Sequence, residues 1–148
     1  EIITSDWSSD VCSSDLKLSL KHSEAEQGFR RMVFNVIGRN QDDHTKNVEF
    51  LMNEKGEWRL APAFDMIYSY RPSSEWTAHH QMTINGKRDG FTLDDLLKVS
   101  NDIKIRNAKE VIDEIQTCFK NFEDYMEGDI PEEKVASMKD TLRLDILK

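Results

Sequence analysis

At 148 residues, with 28 acidic against 20 basic residues and a net charge of −8, the chain has room for one domain with its own core. It is too acidic for a broad nucleic-acid surface, which is basic. No apolar run approaches the roughly 18 residues that a membrane span needs, and the composition suits a soluble protein of the cytoplasm.

Residues 1–16 do not read as part of a fold. Asp6-Trp7-Ser8-Ser9-Asp10-Val11-Cys12-Ser13-Ser14-Asp15-Leu16 resembles the translation of a sequencing-library adapter, with Glu1–Ser5 as the index region before it. The segment is set aside as non-native and expected to be disordered; it has neither the basic start nor the long apolar core of a signal peptide. Without it, 24 acidic residues face 20 basic ones, a net charge of −4. Setting it aside also leaves Cys118 as a lone cysteine, which has no internal disulfide partner and fits a reducing compartment. Cys118 falls in a helical apolar pattern and is expected to be a small core residue. A natural chain joined to a foreign segment at Leu16 is expected to lack whatever preceded Lys17.

Ser23-Glu24-Ala25-Glu26 has the Ser-x-x-Glu pattern of a capping box and predicts the start of a helix. Phe29, Met32, Val33 and Val36, widened by Phe34 and Ile37, make that helix apolar nearly all round, as a central helix must be, and Gly38 ends it. A polar loop follows, Asn40-Gln41-Asp42-Asp43-His44-Thr45-Lys46-Asn47. Asp43 is expected to pair with a nearby arginine, Arg30, Arg31 or Arg39. Val48–Met52 and Glu57–Ala61 then flank Asn53-Glu54-Lys55-Gly56, a hairpin with Gly56 at a positive-φ turn position. The hairpin is expected to carry Asn47 into its first strand and Asp65 out of its second, and folding it back brings those two side chains close.

Residues 65–88 are irregular and exposed by composition, and His79-His80 is only a weak hint of a metal site. Thr92-x-x-Asp95 starts a short helix, Leu93 to Val99. A longer helix follows Asn101 or Asp102, with Ala108, Val111, Ile112, Ile115, Cys118, Phe119, Phe122 and Met126 at three- and four-residue spacing, and Gly128 stops it. Pro131 opens the last helix, with Val135, Met138, Leu142 and Ile146 inward. These stripes read as core. The expected fold is mainly α with a short β-hairpin.

The loop and hairpin carry the chemistry. Asp42 and Asn47 are separated by four residues, and a second aspartate, Asp65, follows the hairpin. That is the order in which kinases place a catalytic Asp, a metal-binding Asn and a second metal-binding Asp. The stretch from Phe34 to Met66, FNVIGRNQDDHTKNVEFLMNEKGEWRLAPAFDM, resembles the catalytic segment of the HipA family, the kinase toxins of bacterial toxin–antitoxin pairs. The shared pattern is an apolar helix, an Asp-x-His-x-x-Asn loop, an apolar strand, a Gly turn, a Trp-containing strand and an Ala-Phe-Asp ending. The resemblance covers most of residues 17–148. It implies the helical C-terminal lobe of a protein-kinase-like fold, related to phosphoinositide-kinase-like enzymes.

The resemblance implies a serine/threonine kinase that uses ATP and Mg²⁺. It places the catalytic carboxylate at Asp42 rather than Asp43. Asn47 and Asp65 would supply hard oxygen ligands to Mg²⁺. His44 braces the loop or contacts phosphate, and Lys46 is a solvated or loop-fixing residue at the nucleotide side. The partners implied are ATP, a protein substrate (in the family typically an aminoacyl-tRNA synthetase) and a helix-turn-helix antitoxin through which DNA is met indirectly; no membrane is implied. A glycine-rich phosphate loop and its lysine are not in the sequence, so a kinase N-terminal lobe is expected upstream of Lys17, and the isolated chain is expected to be inactive. Other readings are a kinase of a lipid or small molecule, a metal-dependent phosphoesterase using Asp42, His44 and Asp65, and a binding module without chemistry. A loop rich in Asp and Asn before a hairpin is also often only a turn.

Overall fold

The computed structural model describes residues 6, 7, 18, 20–126, 128 and 130–147. Among these, the central element is α1 (His22–Ile37). Its inward face carries Phe29, Met32, Val33, Val36 and Ile37, each at most 2% exposed. Burying side chains of this size contributes about 1.5–3 kcal/mol each before entropy is counted. The predicted capping box does not form. The helix begins at His22 with Lys21 in extended backbone as its cap, which puts Ser23 inside the first turn. Glu26 instead meets Arg30 at 3.2 Å, and Glu24 accepts from Leu60 N at 2.8 Å, tying the helix start to the hairpin.

Gly38 caps α1 as expected, but not in the left-handed conformation: its φ is −79° and the positive φ of 56° falls on Arg39. The glycine serves close approach instead. A Cβ on Gly38 would lie 2.2 Å from Phe119 Cζ.

The hairpin consists of β1 (Phe50–Met52) and β2 (Trp58–Leu60), antiparallel, with Phe50 opposite Leu60. Asn53 builds the turn, its Oδ1 accepting from Lys55 N and Glu57 N, and Gly56 takes φ 79°. Leu51, Met52 and Trp58 remain exposed beside a cleft of about 880 Å³ between the hairpin and the start of α1.

The helix α2 (Leu93–Asp102) has both arms of the expected capping box between Thr92 and Asp95. The chain turns at Lys104, φ 62°, and α3 (Ala108–Lys120) runs against α1 through Val111 and Ile112. The long helix expected here starts later and ends earlier, because Phe122–Tyr125 form a separate 3-10 turn. Cys118 is exposed, not in the core: Gln116 takes the inward position of that turn. Pro131 caps α4 (Glu132–Lys139), and Leu142 and Ile146 lie beyond its end.

Residues 65–92 are irregular, but not exposed throughout. His80, Met82, Thr83 and Ile84 are buried. Within the segment expected to be disordered, Trp7 belongs to this core, and Asp6, partly buried, lies next to it. Trp7 is 3% exposed and its backbone N–H donates to Thr83 O at 3.0 Å. Thr83 Oγ1 donates to Asp6 Oδ2 at 2.6 Å. The expectation of disorder does not extend to Asp6 and Trp7; the rest of residues 1–16 lie outside the described residues. No helix among the described residues is long and apolar enough to cross a membrane.

Candidate active site

The end of α1 hands the chain to the polar loop through Asn40, which is 1% exposed. Its backbone N–H donates to Asn35 O at 3.0 Å, and its Nδ2 donates to Asn35 Oδ1 and to Asp65 O, each at 3.0 Å. One side chain thus joins α1, the loop and the segment after the hairpin. Ser69 reinforces the junction. Its Oγ accepts from Gln41 N at 2.8 Å and from Asp42 N at 3.0 Å, and donates to Asn40 Oδ1 at 3.1 Å. All three bonds use the hydroxyl's ordinary capacity of one proton and two lone pairs.

The loop closes in a 3-10 turn, Thr45–Asn47, with His44 N bonded to Asp42 O and Asn47 N to His44 O. Asn47 therefore lies in a turn before the hairpin rather than in its first strand. Its Nδ2 donates to Asp42 O at 3.1 Å and to Asp65 Oδ2 at 3.0 Å. The expected meeting of Asn47 and Asp65 is present, next to the backbone of Asp42. Asp65 is exposed and holds a left-handed backbone, φ 54°, uncommon for a residue with a Cβ.

These contacts bear on a divalent cation. Both acceptors of Asn47 Nδ2 are fixed, so its Oδ1 is the amide atom left for other partners, as is Asp65 Oδ1 in these bonds. Two hard oxygens on adjacent side chains suit Mg²⁺, which keeps several waters and commonly takes one or two protein ligands with phosphate supplying others. Among the described residues no group of three or more His, Cys, Asp or Glu side chains is placed to hold a metal by itself.

His44 lines a small recess with Asn47, Asp65, Arg31 and Asp43. Its Nδ1 is buried with no hydrogen-bond partner among the described residues, so that atom does not brace the loop. Lys46 is exposed and does not line the recess. Arg31 enters the recess from α1, its Nη2 donating to Ala61 O at 2.5 Å. Burial lowers its guanidinium pKa, against the opposing charge of Glu24.

Asp43 does not pair with Arg30, Arg31 or Arg39. It is bonded to His80 at 2.8 Å and to the backbone N–H of Gln81 at 2.8 Å. The arginines are engaged elsewhere: Arg30 with Glu26 and Glu114, Arg31 with Ala61 O, Arg39 with Thr141 O and over the Tyr70 ring. The His79-His80 pair is split, with His80 buried on Asp43 and His79 exposed near Asp89. Ser69, Asn40 and Arg31 carry no spacing signal in the sequence. Only the lone polar Ser69 in the run after Asp65 hints at a buried task.

The family described as HipA-like C-terminal domain matches residues 11–122, about three quarters of the chain, including the loop, the hairpin, α2 and α3. No curated protein matches the chain, and no solved structure does.

Proposed function

The chain belongs to the family of HipA-like C-terminal domains, and from that premise we propose that it is the catalytic-loop lobe of a cytoplasmic serine/threonine kinase toxin. It would transfer the γ-phosphate of ATP to a protein hydroxyl. The observation that carries this reading is Asn47 Nδ2 bridging the backbone carbonyl of Asp42 and the Asp65 carboxylate, which sets the metal-binding pair beside the loop residue that bears the catalytic aspartate.

Phosphoryl transfer asks the protein for alignment, proton acceptance and charge neutralisation. Asp42, half-buried on a loop fixed by Ser69, orients the substrate hydroxyl and accepts its proton. Asn47 and Asp65 would hold Mg²⁺, which would supply neutralisation of the phosphate charge. His44 lines the same recess, and its Nδ1, without a hydrogen-bond partner among the described residues, favours the phosphate-contact reading over the brace. Lys46, exposed at the loop's rim, has at most a peripheral part in nucleotide binding.

The glycine-rich cover and lysine for the phosphates belong, in this reading, to a second lobe that works with this one. The exposed apolar hairpin residues Leu51, Met52 and Trp58 support such a neighbour, since patches of this kind mark interaction surfaces. Family resemblance adds an aminoacyl-tRNA synthetase as the class of target, and a DNA-binding helix-turn-helix antitoxin as the neutralising partner. The Asp-x-His-x-x-Asn form also favours, as a second reading, a kinase of a lipid or small molecule. A phosphoesterase fits less well, because two-metal sites gather more His and carboxylates than this recess holds.

The experiment joins this chain to a nucleotide-binding lobe and supplies labelled ATP with Mg²⁺. Label on serine or threonine of protein supports the protein kinase. Label appearing only on small molecules supports the second reading, and release of phosphate from esters without ATP supports the phosphoesterase.

A further inference from the structure

A buried chain of polar contacts runs from the residue beside Asp42 to the C-terminal segment. Asp43 is 3% exposed and His80 fully buried. Asp43 Oδ2 lies 2.8 Å from His80 Nδ1, and Asp43 Oδ1 accepts from Gln81 N at 2.8 Å and Met82 N at 3.5 Å. The other ring nitrogen, His80 Nε2, lies 3.0 Å from Arg143 Nη1. Arg143 Nη1 also donates to Val36 O at 2.6 Å, its Nη2 pairs with Asp89, and its backbone N–H donates to Ile37 O at 3.1 Å. Arg143 therefore caps two carbonyls at the end of α1, where the helix has no partners of its own.

The direction of each bond follows from chemistry. A guanidinium has donors and no acceptor, so His80 Nε2 must accept. The ring proton then sits on Nδ1 and is donated to the Asp43 carboxylate. A proton on Nε2 would point at a cation, so the ring is neutral. The two contacts together thus select one tautomer.

We propose that His80 and Arg143 are positioning residues for the loop that bears Asp42, acting through Asp43. That Asp42 is the catalytic carboxylate rests on the kinase reading above; the relay itself does not. Burying a carboxylate, an imidazole and a guanidinium together is unfavourable unless each is satisfied, and apolar residues would fill the same space at less cost. What the polar chain adds is direction. It fixes Asp43 from two sides while Ser69 fixes Gln41 and Asp42 from a third. A displacement of about 1 Å in such a loop can cost about 100-fold in rate. Neither residue signals this role locally, since His80 is 37 residues from Asp43 and 63 from Arg143.

The test is nitrogen NMR and amide hydrogen exchange on the intact chain. In the unaltered protein, the expected His80 signature is a neutral ring with the proton on Nδ1 and an unprotonated, hydrogen-bonded Nε2. In Arg143→Met, the amides of His44, Asn47 and Val48 should exchange about 10-fold faster or more, with Val33 in α1 and Val111 in α3 unchanged. Arg143→Lys, which keeps a donor, should restore part of the protection. A proton on Nε2 in the unaltered chain overturns the proposal, whatever the variants do. So does loop protection that falls only in step with that of the helices. Failure of the kinase reading, an Asp42→Asn protein that still transfers phosphate, would leave these tautomer and exchange results in place, so the two fail separately.

Discussion

Asn47 Nδ2 donates to Asp65 Oδ2 at 3.0 Å across 18 residues of chain, and the hairpin between them is what closes that distance. Asp65 reaches this position in a left-handed backbone, φ 54°. For residues with a Cβ that conformation costs roughly 1–2 kcal/mol, less for Asp than for most.

Strain at Asp65 separates two variants that remove the same carboxylate. Asp65→Gly should be more stable than Asp65→Ala by about 1 kcal/mol, about 2–4 °C in Tm for a chain of this size. Both should lose Mn²⁺ binding, read by electron paramagnetic resonance. An alanine variant as stable as the glycine one would mean that the backbone relaxes out of the left-handed region.

Ser69 ties the segment after Asp65 to the loop before it through three hydrogen bonds. Ser69→Ala leaves Gln41 N and Asp42 N without their acceptor, at a cost of about 1–3 kcal/mol. Denaturant melts should show that loss, and exchange at the Gln41 and Asp42 amides should rise. Unchanged exchange at those two amides would mean the hydroxyl does not hold the loop.

The parts of the fold legible in the sequence are those set by local period and spacing. The apolar stripe of α1, the Gly56 turn, the Thr92–Asp95 box and the convergence of Asn47 with Asp65 all follow from patterns within about two dozen residues. What was not legible depends on distant partners. Asp43 turned from three nearby arginines to His80, because the segment 80–84 is pulled into the core, where Thr83 meets Trp7. Cys118 faces out because Gln116 takes the inward place on α3. Ser23 caps nothing because the helix had already begun at His22.

Close approach at Gly38 gives a substitution whose sign reverses the usual helix rule. Alanine normally stabilises a helical stretch relative to glycine. Here its Cβ would meet Phe119 Cζ at 2.2 Å and Phe34 O at 2.9 Å. Gly38→Ala should lose about 1–3 kcal/mol in thermal melts, with part restored by adding Phe119→Leu. A stabilised Gly38→Ala would show that Phe119 moves aside freely.

Asp95 makes the fold sensitive to acid. Burial alone would raise its carboxyl, but hydrogen bonds from Lys87 Nζ, from Thr92 N and Oγ1 and from Asn85 hold it at about 2, below the ordinary 3.8. A carboxylate whose pKa is depressed on folding contributes stability that is present above about pH 4 and lost as pH falls through about 2. The shift corresponds to roughly 2 kcal/mol. Asp95→Asn should lower stability at neutral pH and flatten its fall between pH 4 and 2; an unchanged acid slope would assign that fall to other groups.

The role of Asp42 is most directly tested by comparing the unaltered protein with Asp42→Asn in phosphate transfer from labelled ATP. Both would be joined to a nucleotide-binding lobe, and MgATP binding would be measured in parallel. The account expects equal folding and near-equal MgATP affinity, with transfer to serine or threonine reduced by about 100-fold or more, the scale of a lost general base. Transfer by Asp42→Asn at the unaltered rate would contradict it.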